Sequence, residues 1–196
     1  GGFVIGDVTV GILPTRGMLP YHGVRVDGVV GTVFLSRFLS TIDYPRDRLV
    51  LELPGFANPR PRTIVTRMWL VGDHFVFARG SVNALENQLF MIDSGLAGGG
   101  FGPEAATVEA AHIRTMPEKA STGIGGGGAV RFVPAVVDRL CVATACQRDV
   151  PAIYTPEGSP MAGFPFRAAG MVSDTFLRHY AVTFDFARMR LMLTPP

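Results

Sequence analysis

The stretch QLFMIDSGLAGGGF, residues 88–101, runs four apolar residues, Leu89 to Ile92, straight into Asp93-Ser94-Gly95 and then a glycine cluster. An apolar run of this length, bounded by turn formers, reads as a strand buried in a core. A strand of that kind has no structural need to end on a carboxylate, a hydroxyl and a glycine. The reading that accounts for all three is a core strand that delivers an acid to the floor of a cleft.

The residues around this stretch set its context. Glycine (24) and proline (15) punctuate short runs rich in Val, Ile, Leu, Phe and Thr, which predicts an all-β chain with many turns. Strands are expected over 3–13, 40–44, 48–53, 63–72, 74–82, 88–93, 128–137, 148–154, 181–186 and 190–194. Helical pattern is scarce: two or three turns within 103–115, and one turn each in 32–38 and 174–180. With 196 residues and 47% hydrophobic content, the chain is long enough to bury a real core. Charge is sparse at 17% and nets +2, and the arginines are scattered along the chain. A nucleic-acid partner would call for clustered basic residues interleaved with aromatics, so none is expected. No apolar run approaches the roughly 20 residues of a membrane helix. His22, His74, His112 and His179 are isolated, and Cys141 and Cys146 have no neighbouring histidine, so neither metal nor cofactor is expected. The two cysteines flank VATA and read either as a hairpin disulfide in an oxidising compartment or as two buried thiols.

An internal repeat gives the chain its organisation. Residues 28–54 lie on 170–196 with a shift of 142, no gap, and 11 identities in 27. These include Gly28/Gly170, Phe34/Phe176, Leu35/Leu177, Thr41/Thr183, Asp43/Asp185 and Arg48/Arg190. The same shift joins Asp7-Val8 to Asp149-Val150 further back. An ungapped match with glycines and turn residues in step points to duplication rather than to two similar hairpins. Each copy reads as a glycine with an apolar pair, a short helical turn, a strand, a turn and a second strand. In the first copy Pro45 and Asp47 supply the turn. Residues 55–62, GFANPRPR, read as a linker. Asp43 and Asp185 read as turn caps or surface ion pairs, and Tyr44, Trp69 and the phenylalanines as core. The counterpart of Asp93 would fall 50 residues before Gly1.

Hydrophobic-hydrophobic-Asp93-Ser94-Gly95 resembles the active-site loop of aspartic peptidases. VDGVVGTVFLSRFLSTIDYPRDRLVL is similar to the closing segment of a retropepsin-like lobe, and TGIGGGGAVRFV falls where that family has its flap hairpin. The resemblance implies an all-β, acid-protease (pepsin/retropepsin-like) double-lobed β-barrel with few short helices. Residues 1–54 would be the C-terminal part of a first lobe, 55–62 the linker, and 63–196 a complete second lobe. It departs from the family pattern at Leu96-Ala97, where a hydroxyl residue is usual, and at Ser173, which takes the place of Gly31 and is expected to crowd the packing under the loop.

The resemblance also implies a chemistry. Two carboxylates that share one proton cannot both ionise at close range, so one acts as acid and the other as base. The base deprotonates a water as it attacks the peptide carbonyl, and the acid protonates the oxyanion. Asp93 would be one of the pair, with Ser94 orienting the loop and Gly95 allowing it to turn. Gly123, Gly125, Gly126, Gly127 and Gly128 would form a mobile flap over a peptide or protein substrate. The other carboxylate would come from a missing N-terminal lobe segment or from a second subunit, including a homodimer that pairs two copies of Asp93. A catalytically inactive peptide-binding module of the same fold is the alternative. The start on Gly1-Gly2 and the few cysteines favour a periplasmic or secreted location.

Overall fold

The computed structural model describes residues 4–12, 27–55, 59–96, 98–125, 128–158 and 161–196. The chain is all-β, with three short α-helices among the described residues. After α1 (Thr32–Leu35) come β1 (Leu39–Asp43), β2 (Arg48–Glu52), β3 (Ile64–Val71), β4 (Phe75–Val82) and β5 (Leu85–Asp93). Next are β6 (Phe101–Pro103), α2 (Ala105–Ala110), β7 (Arg114–Thr115), β8 (Ser121–Gly125), β9 (Gly128–Val142) and β10 (Ala145–Tyr154). The chain closes with β11 (Gly170–Ser173), α3 (Asp174–Leu177), β12 (Ala181–Asp185) and β13 (Arg190–Thr194).

The strands pair in the order β2-β1-β12-β13-β3-β4-β5-β11-β6-β10-β9-β7, and β9 also pairs with β4. The strands β4-β5-β11-β6-β10-β9 therefore close into a ring, which removes most free edges. Its interior holds Phe90, Phe101, Leu140, Val172 and Phe176, all buried. Strand β9 runs to Val142, past the expected end at 137, because it serves four partners along its length: β8, β7, β10 and β4. Residues 4–12, expected to be part of a strand, are described but form none. Two of their carbonyls, Gly6 and Asp7, accept hydrogen bonds from Arg37.

The bounds of α1, β1 and β2 sit 142 residues before those of α3, β12 and β13. Left-handed backbone recurs at the same spacing, at Asp7 and Asp149 and at Asp47 and Met189. In the first of these hairpins Pro45 lies in the 3-10 turn Tyr44–Arg46, and the Asp47 N–H donates to the Tyr44 carbonyl at 3.2 Å. The hairpins meet where β1 pairs antiparallel with β12, and there Thr41 faces Thr183. Their hydroxyls are hydrogen-bonded at 2.7 Å. Asp43 and Asp185 are buried rather than on the surface. Each closes its hairpin with arginines from the turn: Arg46 and Arg48 on Asp43, Arg188 and Arg190 on Asp185.

Candidate active site

Strand β11 lies between β5 and β6, parallel to the first and antiparallel to the second. The chain therefore leaves β5 at Asp93, crosses over the end of β11 and returns down β6. Phe90, Met91 and Ile92 are buried, and the carboxylate that follows them is half-buried at the strand's end. The Gly95 N–H donates to Asp93 Oδ1 at 2.8 Å. Gly95 is not in left-handed backbone; a Cβ there would stand 3.3 Å from that same oxygen. Gly95 lies in a turn and presents its N–H to the carboxylate, and a Cβ there would have to push that oxygen back by a few tenths of an ångström.

The loop is secured from below. Ser173 pairs in register with Asp93, is fully buried, and donates its hydroxyl to the Leu96 carbonyl. Its N–H donates to the Gly100 carbonyl at 3.0 Å, and the Thr175 N–H to that of Gly99 at 3.2 Å. Ser173 does not crowd the loop, as expected from its replacing a glycine; it supplies a hydrogen bond to it. Ser94 is exposed. On the far side, Gln147 Nε2 donates to the Phe176 carbonyl at 2.8 Å and ties α3 to β10.

An open hollow of about 170 Å³ lies beside the carboxylate, lined by His74, Phe75, Val76, Met91, Ile92 and Asp93. His74 forms its rim, paired with Asp73 and in ring contact with Phe75 at 3.9 Å. The hydrogen bond from His74 holds the exposed Asp73 carboxyl below its ordinary value. Thr32 of α1 donates to the His74 carbonyl at 2.8 Å, so the first hairpin unit reaches this rim. Tyr44, from the same unit, carries a phenol that burial pushes up to about 12; the Asp174 and Asp93 carboxylates add to the shift and Arg178 opposes it. Tyr44 therefore stays protonated, a neutral donor in the field of Asp93. Asp174 follows Ser173 directly but is engaged by Arg178. A larger hollow, about 270 Å³, includes Ser36, Phe38, Leu70 and Phe186 in its lining. Its one carboxylate, Asp185, is taken by arginines, which leaves the smaller hollow as the candidate site.

Of the residues expected in a flap, Gly123 pairs with Val130 and Gly125 with Gly128 in the β8–β9 hairpin. The Phe132 ring lies so close over Gly123 that a Cβ would meet it at 2.5 Å. Gly126 and Gly127 lie outside the described residues. Cys141 and Cys146 face each other across the β9–β10 hairpin and form a disulfide. Trp69, expected in the core, is half-buried, with the guanidinium groups of Arg67 and Arg79 over its ring at 5.4 and 5.7 Å. Among the described residues no cluster of three or more His, Cys, Asp or Glu is placed to hold a metal, and no helix is long and apolar enough to cross a membrane. His74 and Tyr44 are the site residues that the sequence reading missed, and Ser173 was expected under the loop but not as its hydrogen-bond donor. Their nearness to Asp93 comes from strand pairing and packing between segments distant in the chain, and none of them carries a local motif.

An all-β chain with an acid presented at the end of a core strand is the class that fold and site define. Among solved structures it is similar to a retropepsin-like aspartic protease from Rickettsia conorii, 11% identical, with a TM-score of 0.44 over 67% of this chain and 87% of that one. At that identity and TM-score the likeness transfers no activity. No family model and no curated protein matches the sequence.

Proposed function

We propose that this chain is part of an aspartic endopeptidase in which Asp93 is one of two carboxylates that activate a water. The observation that carries the reading is the placement of Asp93. It ends a buried strand, on a loop that crosses over β11, with one oxygen fixed by the Gly95 N–H and with a hollow beside it. A fixed, half-buried carboxylate at the floor of an open hollow is poised to hold a water against an extended substrate. The second carboxylate would share the proton, so that one group stays basic while the other donates. Tyr44 adds a neutral phenol to the surroundings of Asp93. The β8–β9 hairpin is the flap of this reading: among the described residues β8 pairs with β9 alone, and its other edge could add strand hydrogen bonds to a peptide.

The repeat belongs to the same reading. Equal element bounds, matching left-handed positions and the Thr41–Thr183 contact support a duplicated unit folded about a local two-fold axis. A homodimer that pairs two copies of Asp93 is disfavoured, because the edge of β12 that it would use is taken by the chain's own β1. Asp174 is disfavoured as the second acid, because its carboxylate is already paired with Arg178. The disulfide supports an oxidising compartment, periplasmic or extracellular.

Asp93→Asn in the complete protein is expected to abolish peptide cleavage and sensitivity to a statine-type inhibitor while leaving thermal stability within a few degrees. Unchanged turnover would refute the reading. Peptide affinity without hydrolysis at any pH, in the unaltered protein, would instead support the inactive binding module.

A further inference from the structure

Residues 4–12 and 27–54 leave exposed several apolar side chains whose counterparts are buried. Val30 is 62% exposed and Val172 0%; Leu49 is 52% exposed and Leu191 0%; Val10 is 75% exposed and Ala152 3%. The difference lies in what covers the second member of each pair. Val172 sits in β11 between β5 and β6, Leu191 pairs with Thr66 of β3, and Ala152 pairs with Phe101 of β6 and Ala135 of β9. Among the described residues nothing plays these parts for the first member: β2 ends the sheet, and 28–31 are in no strand. Side chains of this size on a free strand edge and on unpaired segments make an adhesive surface, and soluble proteins cover such surfaces.

A second copy of the chain does not fit there. In every copy β3 is already held by β13 and β4, and the groove between β5 and β6 is filled by that copy's own β11. The covering set is of the same kind but separate. In the second unit β3, β5 and β6 precede β11–β13 in the chain, so by the repeat their counterparts precede residue 28. We propose that residues 4–12, residues 28–31 and the free edge of β2 seat an N-terminal continuation of this polypeptide, with strands arranged as β3, β5, β6 and β9 are around β10, β11 and β13. This names the partner of the two-carboxylate site and rests on the duplication in that reading. By the register that pairs Asp93 with Ser173, the seated strands bring the turn that corresponds to Asp93 beside Gly31, the residue 142 positions before Ser173.

The test compares hydrogen exchange in these 196 residues alone with exchange in the polypeptide extended by about 80 residues of its own upstream reading frame, enough to include a counterpart of β3. In the shorter chain the amides of 29–31 are expected to exchange freely while those of 171–173 are protected. In the extended chain, 29–31 and β2 are expected to slow by about 100-fold or more. A companion variant, Val30→Asp, is expected to lower the Tm of the extended polypeptide by about 5 °C or more and to leave the shorter chain unchanged, since the side chain is exposed there. Fast exchange at 29–31 in the extended chain overturns the proposal. So does a frame that opens at or just before Gly1, or protection that appears in the shorter chain only as it dimerises. Protection gained while Asp93→Asn leaves cleavage unchanged retains the seat and rejects the peptidase; cleavage lost in that variant without protection at 29–31 does the reverse.

Discussion

Asp43 shows how a buried charge is made tolerable. Desolvation opposes its ionisation, but the hydrogen bond from Arg48 and the charges of Arg46 and Arg48 outweigh that, and its carboxyl is held below the ordinary value. A carboxyl depressed on folding contributes stability that is present above its unfolded pKa, near 3.8, and is lost as pH falls through its lower folded value. Asp43→Asn is therefore expected to cost about 1–2 kcal/mol at pH 7, at the lower end for a charge-assisted pair because both arginines are half-exposed. Urea midpoints of the two proteins should then converge as pH drops below 3. A difference that persists at pH 2 would mean that Asn fails on packing and not on charge. The recurrence of Asp43 and Asp185 beside turns was legible, and so was a role as turn caps or ion-pair partners; their burial was not, because a carboxylate beside a turn is usually solvated. Only the seam between the hairpins, which brings β1 against β12, buries them.

At the scale of elements, what could be read from sequence was what local chemistry dictates. The Pro45 turn, the strand into Asp93 and the short helices at 32–35 and 174–177 all follow from apolar runs and turn residues within a few positions. The strands β6, β7 and β11 were not legible, because they are only two to four residues long and exist through pairing with distant segments. The loop support was illegible for the same reason. The hydroxyl that holds the loop belongs to Ser173, 77 residues from Leu96, where no local pattern announces it. Ser173→Ala is expected to destabilise the protein by about 1 kcal/mol. It should also speed amide exchange at Gly95 and Leu96 more than at β12. Equal effects at both places would make the serine a general packing residue. The disulfide bridges adjacent strands and closes only a short loop, so reduction is expected to cost about 2 kcal/mol. Urea titrations with and without reductant measure that directly.

For the whole molecule, the decisive contact is the one between the two hairpin units. Residues 27–54 join the rest chiefly through β1 on β12, and its midpoint pairs Thr41 with the residue 142 positions on. The repeat was visible in sequence; that its two copies would meet at equivalent residues was not, because identity says nothing of relative placement. A hydroxyl pair at such a centre is largely screened from water, so each group relies on the other. Thr41→Val leaves Thr183, which is buried, without its partner and is expected to cost about 1–2 kcal/mol, and Thr183→Val is expected to cost a similar amount. Replacing both removes both polar groups from the seam, and the double variant should be no less stable than either single one. The cycle then gives a coupling of about 1 kcal/mol or more. Strict additivity would show that the hydroxyls act independently, and the seam would then be held by its backbone ladder and apolar neighbours alone.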